Sequence, residues 1–214
     1  MIRSECLKLK NSLGFYLVFL FTLLELLTVP IYLAFGRSHV SMTDLSLMIF
    51  LFFPLLVTIL SILIFEQESL ANRFQEINVN KKSSRIWLSK LIVVDFLLFF
   101  PSAMIWIITG VSQAVGQQGM MIATASWLMA IFLNHFHLLL TFIINRGGSM
   151  IIAIIEILLI IFASNKVLLA AYWCPIALPV NFMINGRCAY LIAAVGWIVL
   201  STIILVALSK KKIR

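Results

Sequence analysis

Leu13 to Phe35 reads L-G-F-Y-L-V-F-L-F-T-L-L-E-L-L-T-V-P-I-Y-L-A-F, an apolar run with a single charge at Glu25. A helix of this length reaches about 35 Å, enough to cross roughly 30 Å of hydrocarbon. The run has no small-residue cleavage site and is too long for the core of a secretory leader, so it reads as a permanent span. Five further apolar runs follow: Leu45 to Phe65, Leu91 to Val111, Met121 to Ile144, a shorter one from Met150 to Ala163, and Ala189 to Leu208. The expected fold is an all-α integral membrane protein with six transmembrane helices, forming one domain over residues 1–214.

Composition agrees. The chain is 63% hydrophobic and 11% charged, whereas soluble domains are about a quarter charged. Lipid must therefore serve as solvent for most of its surface. The net charge of +8 does not imply a nucleic-acid partner. The basic residues sit at the ends of apolar runs, and no stretch is long enough to build a basic face of its own. Their placement sets orientation instead. Arg3, Lys8, Lys10, Arg73, Lys81, Lys82, Arg85, Lys90, Arg146, Lys210, Lys211, Lys212 and Arg214 fall on one side, and Arg37, Lys166 and Arg187 on the other. This asymmetry predicts both ends in the cytoplasm.

Three segments depart from plain spans. Lys166 to Arg187 is too apolar for a solvated loop and is interrupted by Pro175 and Pro179, so a re-entrant or interfacial hairpin on the outer face is expected. Tyr172 and Trp173 suit the headgroup layer. At the start, Ile2, Cys6 and Leu9 share a helical face with Leu7 at its edge, which predicts an amphipathic helix on the inner leaflet. Glu66 to Lys90 is the longest hydrophilic stretch. Its E-Q-E-S-L-A-N-R-F-Q-E-I run predicts a short cytoplasmic helix starting at Glu66 and Glu68, with Arg73 further on, favourable to the helix dipole. It is the natural surface for a soluble partner.

Catalytic patterns are sparse. His135 and His137 in N-H-F-H point about 200° apart on a helix and cannot form the i, i+4 pair of a zinc site. They read as interior hydrogen-bonding groups. Gly147 and Gly148 suggest a tight turn after Arg146, and no phosphate-binding G-x-x-x-x-G-K-[ST] occurs. Cys6, Cys174 and Cys188 form no C-x-x-C pair. The last two share the outer side, which leaves a bridge open, but separate thiols is the favoured reading. Glu25 sits near the bilayer middle, where an unpaired carboxylate costs at least about 2.5 kcal/mol, so it is expected to be protonated, paired or facing a polar cavity. Glu156 lies within the fifth run. Asp95, a turn or so from the cytoplasmic end of the third, is expected to be wet.

Two stretches carry a resemblance. I-R-S-E-C-L-K-L-K-N-S, from Ile2, places an acidic residue and L-K-L-K before the first span. F-E-Q-E-S-L-A-N-R-F-Q-E-I-N-V-N-K-K-S-S-R-I-W-L-S-K, from Phe65, carries E-x-E, then an Arg, an apolar stretch and a Lys before the third span. With the six spans, the chain resembles the permease subunits of type-2 ABC transporters, and more narrowly the small lantibiotic-immunity permeases of Gram-positive bacteria. Leu70-Ala71-Asn72 stands where many members have a Gly soon after E-x-E, which puts the helix register in question.

The resemblance implies a coupling loop with Glu66, Glu68, Arg73, Phe74 and Arg85 docking on a separate ABC ATPase that binds the ATP, this chain binding no cofactor or metal itself. It implies a connecting helix from Met1 to Lys10 and a second, different permease subunit. The work would be expulsion of a cationic antimicrobial peptide from the cell membrane, giving the producer self-immunity. Glu25, Glu156, His135 and His137 would be the polar groups of the membrane path. The rival readings are a membrane-embedded peptide-processing enzyme and a non-transporting immunity protein that binds the peptide directly.

Overall fold

The computed structural model describes residues 2–35, 41–72 and 83–209. They form the helices α1 (Ile2–Lys10), α2 (Leu13–Phe35), α3 (Met42–Phe50), α4 (Phe53–Asn72) and α5 (Ser83–Phe99). A π-helical turn (Phe100–Met104) leads into α6 (Ile105–Ser112), followed by α7 (Gly116–Ile143), α8 (Arg146–Ser164), α9 (Ala177–Asn185) and α10 (Cys188–Ser209). Among the described residues there is no strand. Six stretches are long and apolar enough to cross a membrane, with α3–α4 and α5–α6 each counted as one: Leu13–Phe35, Met42–Leu70, Ser84–Ser112, Gly116–Ile143, Arg146–Ser164 and Cys188–Ser209.

The helices run alternately up and down. α1, the end of α4, the start of α5 and the α7–α8 junction meet at one end, here termed the α1 end. At the far end Gln118 Nε2 donates to Thr43 Oγ1 at 2.8 Å, and Gly110 lies against Gly119. α7 is the axis: 67% of its apolar window is buried, against 17% for α10 and 28% for α2 and α8. It packs on α3 through α6 and on α8, α9 and α10. The outer helices turn Tyr16, Phe19, Leu20, Ile154, Leu158, Ile192 and Ile203 outward, an apolar surface suited to lipid.

Several expectations change. The fifth span is not short, because Gly147 and Gly148 do not form a turn. They lie in the first turn of α8, where the Asn145 side chain caps Gly148 N at 2.9 Å. Glu66 and Glu68 do not open a new helix. They lie in the last two turns of α4, where the dipole disfavours carboxylates. The third span begins at Ser84 rather than Leu91, so Asp95 sits deeper than expected. The buried face of α1 is Glu5 and Leu9, while Ile2, Cys6 and Leu7 are exposed.

Residues 165–187 do not cross the bundle. Turns lead into α9, whose nine residues reach about 13 Å. Asn181 Nδ2 and Tyr190 Oη donate to the Leu168 and Leu169 carbonyls, and Trp197 Nε1 donates to the Tyr172 carbonyl. Gly186, at φ 65°, ends α9 in the left-handed region. The three cysteines are free, with Cys174 buried and Cys6 and Cys188 exposed.

The α6–α7 hairpin depends on bare backbone. A Cβ on Gly119 would stand 2.7 Å from Gly110 Cα and from the Trp106 carbonyl oxygen, whereas one on Gly116 meets nothing within 4 Å. Gly119→Ala is expected to cost about 1–3 kcal/mol through overpacking, and Gly116→Ala to be near neutral. Thermal unfolding in detergent compares the two.

Candidate functional site

The polar groups of the bundle gather at its α1 end. Glu5 of α1 and Glu68 of α4 both receive Lys90 of α5. Its Nζ stands 2.6 Å from Glu5 Oε2 and 2.6 Å from Glu68 Oε1. All three are buried, at 8%, 6% and 5% exposure. Lys8 joins from the rim, 3.4 Å from Glu68 Oε1 and 3.6 Å from Glu5 Oε1. Two acids and two lysines make the cluster neutral, which is the condition for burying it. An ion pair at this depth must recover its desolvation cost through geometry and extra hydrogen bonds. Gln67 adds one, Nε2 to the Lys8 carbonyl at 3.4 Å.

Glu66 faces elsewhere. Residues two apart on a helix diverge by about 200°, so the two acids of E-x-E reach different neighbours. Glu66 Oε1 pairs with Arg146 of α8 at 2.5 Å. The tail of α4 is thus tied to α1 and α5 on one side and to α8 on the other. These cations offset its unfavourable dipole. Arg85 is exposed in the first turn of α5. Arg73 and Phe74 lie outside the described residues.

Deeper in, both histidines turn inward and are held. His135 Nε2 lies 2.9 Å from Asp95 Oδ2, and its Nδ1 lies 2.6 Å from Thr202 Oγ1. Asn134 Nδ2 donates to Asp95 Oδ1 at 2.8 Å, so Asp95 is bound on both oxygens while its side chain stays 17% exposed. Thr202 Oγ1 also donates to the Ile198 carbonyl at 2.6 Å. His137, on the opposite face of α7, holds Glu156 Oε2 at 2.7 Å and Ser149 Oγ at 3.0 Å. The H-x-H spacing thus serves two separate carboxylates. Among the described residues no group of three His, Cys, Asp or Glu is placed to hold a metal.

Glu25 stands apart. It is 4% exposed, and neither carboxylate oxygen has a hydrogen-bond partner. Cys174 is distant from nucleophile chemistry in another sense: burial pushes its thiol up, the reverse of what a reactive cysteine needs.

The candidate residues therefore fall into three places rather than one path. Glu66 and Glu68 are at the α1 end, His135, His137 and Glu156 lie around α7, and Glu25 is alone on α2. Sequence reasoning placed Glu5 and Lys90 as motif positions without pairing them. The available signal was two acids and a lysine, each at the margin of an apolar run.

Lys90→Met leaves Glu5 and Glu68 with the half-exposed Lys8 but no buried cation, and removing one partner of a buried pair costs roughly 3–5 kcal/mol. The triple change Lys90→Met, Glu5→Gln, Glu68→Gln is expected to recover most of that loss. Thermal unfolding of the purified variants measures both; equal loss in the triple variant would show that the pairing does not carry the stability.

Comparison with protein-family models, with curated proteins and with solved structures finds no match for this chain.

Proposed function

We propose that this chain is the membrane-spanning permease subunit of an ABC exporter that expels a lantibiotic-type antimicrobial peptide from the cell membrane of a Gram-positive producer. The observation that carries the reading is the Glu5–Lys90–Glu68 cluster. It fastens an amphipathic helix to both flanks of the hydrophilic stretch that ends α4 and begins α5. A permease driven by a separate ATPase needs such a part, a fixed platform at one end where an outside movement enters the bundle.

In this reading the α1 end is cytoplasmic, both chain ends are inside, and residues 165–187 form a re-entrant hairpin on the outer face. The ATPase docks on the loop from Glu66 to Lys90, and a second permease subunit completes the membrane domain. A cationic, lipid-bound peptide enters sideways between apolar helices, which suits it better than a hydrated ion. Glu25 and Glu156 are the acids nearest to such a path.

Two experiments test this. Co-expressed with an ABC ATPase from the same source, the tagged chain is expected to retain that ATPase through purification. It should lose the ATPase when residues 73–82 are replaced by a Gly-Ser linker of equal length, and peptide tolerance should fall with it. Retention without the loop, or full tolerance conferred by this chain alone, would overturn the assignment in favour of a peptide-binding immunity protein. For orientation, a membrane-impermeant maleimide on intact cells should modify Cys188 and spare Cys6, which reacts only after permeabilisation; buried Cys174 should stay unmodified in both. Labelling of Cys6 in intact cells would reverse the topology.

A further inference from the structure

Two of the membrane helices break, and they break at one depth. α3 ends at Phe50 and α4 starts at Phe53. Between them the chain tightens, with Leu51 N donating to the Met48 carbonyl at 3.3 Å and Phe52 N to the Ile49 carbonyl at 3.0 Å. α5 passes into α6 through the π-helical turn at Phe100–Met104. Pro54 and Pro101 stand at these places, and neither has an N–H for the preceding turn. The contacts of Thr43 with Gln118 and of Gly110 with Gly119 align the far ends of α3, α6 and α7. Counted from that level, Leu51 and Ser102 each lie about eight residues in, hence about 12 Å. α7 passes the same depth at Ser126 with no break.

Unpartnered polar atoms collect at this layer. Glu25, Trp106 Nε1 and Ser126 Oγ are all buried and all lack a hydrogen-bond partner. The rings of Phe21 and Phe53 meet at 6.1 Å, which sets α2 against α4 and puts Glu25 one turn beyond Phe21 toward the far end. That is within about 4 Å of the layer along the helix axis. α2 and α6 both run from the α1 end outward, and helical side chains lean back toward the N-terminus. Glu25 and Trp106 therefore both lean into the layer. α2 also packs against the π-helical turn and α6. Ser61 Oγ and Trp87 Nε1 lack partners too but lie toward the α1 end, and Asn181 of α9 is held through its Nδ2 and has only its Oδ1 unpartnered. The contrast with the α1-end half is sharp, since Glu5, Glu66, Glu68, Asp95 and Glu156 are all paired there.

We propose that this layer is a pivot: α3 and α6 swing as units about their breaks against unbroken α7, and in the second packing Glu25 accepts the Trp106 indole N–H. Each break supplies a place where backbone angles change without disrupting a regular helix. The unpartnered acid and indole raise the free energy of the packing seen here and supply the bond that the other packing gains. The inference needs neither the ATPase nor the peptide, so it stands or falls separately from the transport reading.

Hydrogen–deuterium exchange of the purified full chain in lipid nanodiscs tests it. Amides over 49–54 and 98–105 should exchange at least tenfold faster than those of unbroken, equally lipid-facing α8. Fast exchange alone is not sufficient, because weak hydrogen bonds at a break also produce it. The deciding result is coupling. Glu25→Leu and Trp106→Phe should each slow both segments by a similar factor, and the double variant should slow them no further. A disulfide between Thr43→Cys and Gln118→Cys, in a background without the native cysteines, should slow the 49–54 segment from about 12 Å away. Reduction should restore the fast rate. Independent, multiplying effects of the two substitutions, or exchange unmoved by the disulfide, would overturn the pivot.

Discussion

Lys90 is the point on which the arrangement at the α1 end depends. A nine-residue helix such as α1 is below the length, roughly 12–15 residues, at which helices hold their own in water. Only Glu5 and Leu9 of α1 are buried, so its position rests mainly on one carboxylate and one apolar side chain, with Lys8 adding contacts to Glu68 and Gln67 at the rim. Lys90 holds that carboxylate at 2.6 Å and holds Glu68 at the same distance. The same ammonium also relieves an electrostatic fault, since Glu68 sits near the negative end of the α4 dipole. One buried cation thus fixes α1, supports the tail of α4 and starts α5 in register with both.

The rest of the polar inventory follows from the scarcity of water at depth. Each ionisable group in hydrocarbon must find its partner in protein, and α7 supplies most of them because it touches nearly every other helix. Asn134 and His135 serve Asp95 on α5 and Thr202 on α10, and His137 serves Glu156 and Ser149 on α8. The two-residue spacing that rules out a shared metal is what sends these rings to opposite neighbours.

How much of this was legible in the sequence divides by physical cause. Span existence was legible, and Leu13–Phe35 is α2 to the residue, because hydropathy over twenty residues is a summed signal. Helix ends were less so. Polar residues such as Ser89 and Lys90 lower local hydropathy, yet the helix continues through them because their side chains are bonded within the bundle. Reading the third span from Leu91 made Asp95 look shallow, and its bond to His135 was hidden for that reason. The apolar face of α1 was legible, with Leu9 buried and Ile2 and Cys6 exposed, but its polar contact with the bundle was not. Glu5 is its one acidic residue and also its anchor, a fact that depends on Lys90 eighty-five positions away. The sequence reading also put a helix start at Glu66 and Glu68 on dipole logic, but the helix of α4 runs on through both. The breaks at Leu51 and Phe100–Met104 were unread although Pro54 and Pro101 marked them, because each lies inside an unbroken apolar run.

The two ends of the molecule are linked by which helices are tied and which are broken. The Glu5–Lys90–Glu68 cluster fastens α1 to α4 and α5, and these are the same two helices that break farther along, into α3 and α6. α7 and α10, joined through His135 and Thr202, carry no break. A displacement applied at α1 therefore reaches α4 and α5 through short, buried ion pairs. It travels along regular helix for several turns and meets a deformable point only at the layer holding Glu25. Had the ties and the breaks fallen on different helices, the same displacement would have dissipated in side-chain repacking near its origin. Under the proposed pivot, their coincidence would give the bundle a tied near half and a layer about which the far half turns.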